Sequence, residues 1–522
     1  MSYVPIVASL EDVQPIPGAD RVVSATARGY RLVVSADRKP GDLGVVFPAD
    51  GVLDTSFALA AGLLRVHPST GEKLGGMLEL PPRIRCLTIR GVRTDALWIP
   101  MVQFHAATDG MREGCKTRPP ARCDGDEIGS IGVWDEQGYE HVVTVARKYL
   151  PPTRAQRSGG GKGAPTLARQ DLDAARASLE THLPAHYDTP SAQRAAYRLP
   201  LGARVWATEK LHGESGGVAL AIIPAKLPRW KRVVNRVASV FGRRPYVDDL
   251  VALSRTRRVL HVPGGAPVAT PPCVRRNVRD WLAPRLCPGE AAYFELVGYH
   301  ATGSVIQKQR PKRGTPDGDK LAAAWGDEVR DSYGCAPDGV PVTPGQPYPQ
   351  VSATGRPPQQ RVFVYRMTRH GREVPFEELR RRVAEIGCES PTLLGSWQHV
   401  ADPDDVGAVD PELPPDVYVR ELQKSAARRT LAMARELIEP GSTYVHRSSL
   451  VYPGGYPSRL DSRHPMEGVV LRADEGAHVG TPHRTCKLHA HAYLVLQGHG
   501  KDRGEVDAEE AEAIALGEEV PS

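Results

Sequence analysis

One lysine lies between two strand-like segments, and this arrangement constrains the fold more than any other feature of the chain. The apolar run Val205–Thr208 precedes Lys210, and the apolar run Gly217–Ile223 follows it. Short runs rich in β-branched and apolar residues are typical of strands. Gly213 favours a turn between them and would let the lysine approach a ligand at little steric cost. The sequence therefore predicts a strand, a turn and a second strand, with Lys210 just before the turn.

The length and composition predict a multidomain protein of the cytoplasm. The chain has 522 residues, of which 41% are hydrophobic and 25% charged, and this suits two or three globular domains. It contains no run of 18 apolar residues that would predict a membrane span, and the N-terminus lacks the pattern of an export signal. The eight cysteines are scattered without a CxxC pair, which argues against a disulfide framework or a structural zinc site.

Residues 1–150 are predicted to form a small barrel of short strands. Val22–Thr26, Arg31–Ser35 and Gly44–Pro48 have the composition of strands, and Pro40-Gly41-Asp42 is a turn signal. Short antiparallel strands with little helix favour an OB-like β-barrel, a fold that often binds nucleic acid.

The rest of the chain predicts an α+β domain with additions. Val362–Tyr365 reads as a strand, Phe376–Ile386 and Leu413–Leu437 read as helices, and His489 and His491 are expected to alternate along one strand. The expected organisation is a linker at 151–194, a domain at 195–497 with insertions near 225–250 and 311–358, and an acidic tail at 498–522.

Basic residues are clustered although the net charge is only +6. The clusters are Lys226–Arg232, Arg255–Arg258 and Lys308–Arg313. Clustered lysine and arginine favour polyanions through counterion release. A solvated surface explains each cluster equally well.

Five fragments spread along the chain have an order that resembles a known superfamily. They are Thr208–Ser215, Leu253–Arg255, Ala292–Tyr299, Pro465–Arg472 and Cys486–His489. In this order they resemble motifs I, Ia, III, IV and V of the covalent nucleotidyltransferases, which include RNA ligases, DNA ligases and mRNA capping enzymes. The resemblance implies a nucleotidyltransferase domain of antiparallel sheets with flanking helices.

The resemblance assigns catalytic roles to three residues. Lys210 would attack the α-phosphate of a nucleotide, which requires an amine that burial or neighbouring cations have made reactive. Glu467 would support Mg²⁺ or Mn²⁺, a metal that keeps most of its waters and needs few protein oxygens. Lys487 would neutralise the α-phosphate as charge builds in the transition state. The alternative for Lys210 alone is an ordinary lysine at a strand end.

The remaining matched positions are implied to bind the nucleotide. Glu295 would hold the ribose hydroxyls, Arg255 the ribose or the nucleic-acid end, and Glu209 adenine N6. Phe363 could stack on the purine, although a core aromatic is equally compatible with its strand. His212 and Gly213 complete the lysine motif, and His489 stands where many RNA ligases have a second lysine.

The position of the expected barrel distinguishes branches of the superfamily. DNA ligases and capping enzymes carry an OB domain after motif V, whereas only residues 490–522 follow His489 here. An upstream barrel together with Thr-Glu-Lys-Leu-His-Gly at 208–213 resembles the Deinococcus-type, nick-sealing RNA ligases. In that branch a histidine, here His212, replaces the aspartate of the commoner Lys-x-Asp-Gly motif.

This resemblance implies an ATP-dependent RNA ligase that joins 3′-hydroxyl and 5′-phosphate ends through lysyl-AMP, with a role in RNA repair. Its partner would be nicked or broken RNA, or an RNA–DNA hybrid, and the sequence leaves the oligomeric state open. Two alternatives remain. One is a ligation-deficient RNA-binding protein, because Phe294 and His489 depart from the family pattern. The other is a capping-type nucleotidyltransferase that uses GTP.

Overall fold

The computed structural model describes most of residues 1–150. It also describes the parts of the expected adenylation domain that lie on either side of the insertion at 311–358. The described residues are 3–109, 111, 116–117, 123–134, 140–151, 181–184, 189–223, 234, 236, 249–256, 260–261, 273–298, 306, 360–439, 456–460, 465–474 and 484–502. The predicted linker and the acidic tail lie largely outside them, as do both insertions and the basic clusters 226–232 and 308–313.

The N-terminal part is a set of small antiparallel sheets with two helices. Its strands are β1 (Ile6–Ser9), β2 (Glu11–Pro15), β3 (Val22–Ala27), β4 (Tyr30–Ser35), β5 (Leu43–Pro48), β6 (Gly51–Leu53), β7 (Leu87–Ile89), β8 (Val92–Thr94), β9 (Ala96–Pro100), β10 (Lys116–Thr117), β11 (Ser130–Trp134), β12 (Glu140–Thr144) and β13 (Ala146–Lys148). Its helices are α1 (Thr55–Ala60) and α2 (Met101–Asp109). The three strands predicted here are confirmed as β3, β4 and β5.

These strands form several sheets instead of one continuous barrel. Within the described part, the hydrogen-bonded orders are β1-β5-β9, β2-β3-β4 and β10-β11-β12, with the pairs β6-β13 and β7-β8. Phe47, Phe57 and Phe104 pack together in one apolar core, and Leu32 and Trp98 belong to a second. The described strands do not close into the predicted OB-like barrel, so that assignment stays a prediction.

The C-terminal part contains two antiparallel sheets. Its strands are β14 (Arg204–Lys210), β15 (Glu214–Ile223), β16 (Asp249–Thr256), β17 (Leu260–His261), β18 (Glu290–Gly298), β19 (Gln360–Arg369), β20 (Arg372–Glu373), β21 (Leu393–Gln398), β22 (Gly468–Ala473) and β23 (Thr485–His489). One sheet has the order β21-β14-β22-β23 and the other β17-β16-β15-β18-β19-β20. The expected α+β class with antiparallel sheets is thus confirmed for this part.

Helices cover one face of each of these two sheets. They are α3 (Ala192–Ala195), α4 (Cys273–Leu282), α5 (Phe376–Glu385), α6 (Pro403–Ala408), α7 (Pro415–Ile438) and α8 (His491–Asp502), with 3-10 turns at Ala196–Arg198 and Ala283–Arg285. Residues of α4 and α5 share a core with the six-stranded sheet, and residues of α3 and α7 share one with the four-stranded sheet.

The predicted helices at 376–386 and 413–437 are confirmed as α5 and α7. The expectation that His491 continues a strand is wrong. The backbone N–H of Ala490 donates to the Glu467 carbonyl oxygen at 2.9 Å, and α8 begins at the next residue. In the described part of the chain, no helix is long and apolar enough to cross a membrane.

Buried charges join the N-terminal part to the C-terminal part. Arg31 on β4 pairs with Glu439 at the end of α7 at 2.5 Å and with Asp95 at 3.1 Å, and Arg93 reaches the same Glu439 at 3.3 Å. All four side chains are almost fully buried. Buried charges that lose their partners are costly, so this cluster favours a fixed contact between the two parts.

Candidate active site

Lys210 stands where the chain passes from one sheet to the other. It is the last residue of β14 in the four-stranded sheet, and β15 in the six-stranded sheet begins at Glu214. The three residues between them form the crossing, as the sequence predicted for a turn containing Gly213. This placement brings Lys210 to the boundary between the two sheets.

Strand register places Lys487 on the same face of the sheet as Lys210. Lys210 pairs with Gly468, which pairs with His489 on β23. One row further, Thr208, Val470 and Lys487 are aligned in the same way. Side chains two residues apart on a strand share a face, as do directly opposed residues of antiparallel strands. Lys210, Lys487 and His489 therefore line one wall.

Glu467 binds the amine of Lys210. Its Oε1 lies 2.6 Å from Lys210 Nζ, and the carboxylate is 5% exposed, against 22% for the lysine side chain. His212 Nδ1 lies 3.6 Å from Oε2, and His489 Nε2 lies 3.8 Å from Oε1. Burial alone would raise the pKa of Glu467, but the charge of Lys210 and the contact with His212 hold it well below its usual range.

His489 is neutral in this environment. Burial lowers the pKa of His489 to about 3, and the positive charges of Lys487 and Lys210 act in the same direction. At neutral pH the wall therefore carries the two lysine charges without a third from this imidazole. The resemblance places this histidine where many RNA ligases have a second lysine.

Glu295 lies on the opposite wall, in the six-stranded sheet. It pairs with Ser215 on β15 and with Phe363 on β19, so the three residues form one row. Ser215 Oγ donates to Glu295 Oε2 at 3.0 Å. Burial raises the pKa of Glu295 to about 7; the charge of Lys210 lowers it and that of Glu467 raises it. These electrostatic contacts bring Glu295 to the same site as the Lys210–Glu467 pair.

Arg255 lies on the face of the six-stranded sheet that also carries Glu295. It pairs with Gly217, which pairs with Tyr293. The guanidinium is buried and donates to the carbonyl oxygen of Leu183 at 2.6 Å, while the Tyr293 hydroxyl donates to that of Pro184 at 3.2 Å. The segment at 181–184 thus covers this end of the face and orients Arg255.

Gly213 is required by close packing. A Cβ atom at this position would lie 2.8 Å from Glu295 Cγ and would overlap the carbonyl oxygen of Leu296. The turn that carries His212 is therefore pressed directly against the strand that carries Glu295. A side chain here would displace one wall of the site.

Glu209 and Phe363, which were also predicted to bind the nucleotide, contact protein groups in the structure. Glu209 points to the opposite face from Lys210 and is buried, and its carboxylate accepts from Ser458 Oγ at 2.5 Å and from the Arg459 backbone N–H at 3.1 Å. The Phe363 ring is buried in a cluster with Leu211, Val297 and Leu460. Arg361 lies over the same ring, 4.9 Å from its centroid.

Sequence reasoning missed Tyr493. This residue of α8 has its hydroxyl 3.1 Å from His212 Nδ1, and its ring stacks against that of His489 with centroids 5.8 Å apart. No motif marks it, and no local pattern indicates that a helix starting at His491 would return to the lysine turn.

Solved structures similar to this chain include several of Naegleria gruberi RNA ligase. A mutant with ATP and Mn is 14% identical over 96% of this chain and 98% of that chain, with a TM-score of 0.46. A mutant with AMP and Mn is 14% identical over 96% and 99%, with a TM-score of 0.45. The ligase with PPi is 15% identical over the same shares, with a TM-score of 0.45. No protein-family model and no curated protein matches this sequence.

Proposed function

We propose that this chain is an ATP-dependent RNA ligase that joins 3′-hydroxyl and 5′-phosphate ends through a lysyl-AMP intermediate. The observation that carries the proposal is the 2.6 Å contact between Lys210 Nζ and Glu467 Oε1, on a wall that also bears Lys487. A primary amine beside a carboxylate and a second cation suits attack on a phosphate. Glu295 across the site would bind the ribose, and Arg255 the ribose or the RNA end.

The first step would form a phosphoramidate. The Lys210 nitrogen attacks the α-phosphorus of ATP, a P–N bond forms, the bond to the bridging oxygen breaks, and pyrophosphate leaves. The amine must first lose a proton to solvent and separate from Glu467. Because the pKa of Glu467 is strongly lowered, this carboxylate is a poor proton acceptor and serves to hold and orient the amine.

Two further transfers would complete ligation. An oxygen of the RNA 5′-phosphate attacks the AMP phosphorus, the P–N bond breaks, and the lysine amine regains a proton. The RNA 3′-hydroxyl then attacks the activated 5′-phosphate, loses its proton and releases AMP. Lys487 would offset negative charge on the phosphates in the nucleotide-transfer steps.

Glu467 is the residue that would hold Mg²⁺ or Mn²⁺. Its Oε2 is buried and has no hydrogen-bond partner in the described part of the chain. The described part of the chain contains no group of three histidine, cysteine or acidic side chains that could hold a metal ion. One carboxylate oxygen suits an ion that keeps most of its waters. When bound, such an ion would neutralise charge on the nucleotide phosphates.

The N-terminal part would contribute RNA binding to this reaction. We assign residues 1–150 to an OB-like nucleic-acid-binding domain, 195–497 to the adenylation domain and 498–522 to a tail. The substrate would be nicked or broken RNA, or an RNA–DNA hybrid, and the setting would be RNA repair in the cytoplasm. Sequence-independent binding would depend on backbone charge and therefore on salt.

Transfer of label from ATP tests the proposal. The full chain is incubated with α-labelled ATP and Mg²⁺ or Mn²⁺ and separated under denaturing conditions, beside Lys210→Ala. A labelled band that the variant lacks is expected, followed by sealing of a nicked duplex with an RNA 3′-hydroxyl end. Label from GTP only would indicate a capping-type enzyme. No label from either nucleotide, in folded protein, would contradict the proposal and leave RNA binding alone.

A further inference from the structure

Tyr493 contacts two groups that surround Glu467. Its hydroxyl lies 3.1 Å from His212 Nδ1, and the two rings meet edge to face with centroids 5.3 Å apart. The same tyrosine ring stacks on His489 at 17° between the ring planes. Tyr493 is 4% exposed. Tyr493 is thus a buried contact of His212. It lies on α8, which contains none of the five sequence motifs.

His212 Nδ1 has two polar groups near it at different distances. The Tyr493 hydroxyl at 3.1 Å is within hydrogen-bond distance, whereas Glu467 Oε2 at 3.6 Å is beyond it. The Tyr493 hydroxyl is therefore the nearer of these two contacts. Glu467 Oε2 has no hydrogen-bond partner in the described part of the chain.

We propose that Tyr493 is a positioning residue that orients His212 beside Glu467 and Lys210. This inference rests on the proposed ligase function. The hydroxyl acts through His212 and touches no reacting atom in the structure.

Helix α8 is held at both ends by the N-terminal part. The His491 ring contacts Cys86 Sγ through Nδ1 at 3.0 Å and Thr88 Oγ1 through Nε2 at 3.3 Å. At the other end, Lys501 Nζ contacts the two carboxylate oxygens of Asp50 at 2.6 and 2.7 Å. Tyr493 therefore stands on a helix whose position depends on residues outside the adenylation domain. The N-terminal part would then support lysine adenylylation as well as RNA binding.

Tyr493→Phe tests the hydroxyl, because it keeps the ring and its contacts. Single-turnover adenylylation is measured over a range of ATP concentrations, beside Tyr3→Phe. Tyr3 donates to the Pro48 carbonyl oxygen at 2.7 Å, within the N-terminal part of the chain. We expect the maximal rate of Tyr493→Phe to fall about tenfold, as loss of one buried hydrogen bond predicts. The KM for ATP and the thermal midpoint should match those of Tyr3→Phe.

A spectroscopic measurement follows the Tyr493–His212 hydrogen bond without relying on activity. The ¹⁵N shifts of the His212 ring are assigned by their absence in His212→Gln. In Tyr493→Phe we expect the Nδ1 shift to differ from that of the wild type, because this nitrogen loses the hydroxyl 3.1 Å away. A wild-type rate or unchanged His212 shifts in Tyr493→Phe would overturn the proposal. A wild type that forms no adduct would instead overturn the ligase function, and the shifts would still test the orientation of His212.

A double-mutant cycle tests the anchoring of α8. Lys501→Met is combined with Tyr493→Phe, and the adenylylation rates of both single variants and the double variant are compared. If the anchor acts through Tyr493, Lys501→Met should slow the wild type and change the Tyr493→Phe variant little. Effects that simply multiply would show that Lys501 acts independently of Tyr493 and would contradict this part of the proposal.

Discussion

Lys210 and Glu467 form a 2.6 Å ion pair across 257 residues of sequence. The carboxylate is buried, and the lysine reaches it from the last position of a strand. The pair holds the amine at the boundary between two sheets, with Lys487 on the same wall. This arrangement brings the proposed nucleophile and the proposed metal-binding carboxylate to one point.

Replacing Glu467 by glutamine should disable adenylylation while preserving the fold. Glu467→Gln keeps the size of the side chain but removes the charge that orients Lys210 and would bind the cation. We expect the rate of adduct formation to fall at least about 100-fold, equivalent to ~2.7 kcal/mol of transition-state stabilisation. The rate is measured by single-turnover labelling with ATP.

Glu79→Gln is the matched control for that experiment. Glu79 is exposed and pairs with Arg65 at 3.1 Å on the surface. Exposed pairs contribute little to stability, so this variant should retain the wild-type rate. A Glu467→Gln protein that forms adduct at a similar rate would contradict the assigned role of the carboxylate.

Glu295 should make the fold less stable as the pH rises. Its pKa is raised by burial to about 7 from an ordinary value of 4.5, so the folded state retains a proton that the unfolded chain releases. The stabilisation from this proton is complete below pH 4.5 and is lost as the pH rises through 7. At one pKa unit per 1.36 kcal/mol, the change is about 3 kcal/mol.

Glu295→Gln should remove this dependence. The variant should gain stability relative to wild type at pH 8 but not at pH 5, as measured by denaturant unfolding at both values. It should also bind ATP more weakly, because glutamine replaces the carboxylate proposed to hold the ribose. Equal changes in unfolding free energy at pH 5 and pH 8 would argue against the raised pKa.

Glu439 should be a main determinant of the contact between the N-terminal and C-terminal parts. Burial raises the pKa of Glu439, but Arg31 and Arg435 outweigh this and lower it to about 2. Its contribution is therefore present above pH 4.5 and is lost as the pH falls toward 2. Glu439→Gln leaves buried arginines without their counter-charge, and should cost about 3–5 kcal/mol of unfolding free energy at pH 7.

Glu385→Gln provides the comparison for the interface. Glu385 is half exposed and pairs with Arg382 at 3.2 Å within one helix. Its loss should change the unfolding free energy by less than about 1 kcal/mol. If Glu439→Gln is no more destabilising than Glu385→Gln at pH 7, the buried cluster does not hold the two parts together.

The strands and long helices were predictable because their signals are local. The apolar run at 205–208 and the good helix formers at 413–437 correspond to β14 and α7 within a few residues. The spacing of His489 and His491 suggested a continuing strand. The chain instead leaves the sheet at Ala490, whose N–H binds the Glu467 carbonyl oxygen, a tertiary contact that no local pattern reveals.

The site itself was only partly predictable. Lys210, Glu467 and Lys487 were found by resemblance to ordered motifs, and strand register brings them to one place. Tyr493 carries no motif, and its contact with His212 depends on how α8 docks. The Arg31–Glu439 pair likewise spans 408 residues. No pattern in the sequence around either residue indicates that the two pair.

Mapping the covalent adduct tests whether Lys210 is the nucleophile. The protein is incubated with ATP and Mn²⁺, digested, and analysed by mass spectrometry under alkaline conditions, which preserve a phosphoramidate. We expect AMP on the peptide that contains Lys210, attached through nitrogen and lost on brief acid treatment. AMP on any other residue, or no adduct in protein that is folded and binds ATP, would rule out Lys210 as the nucleophile.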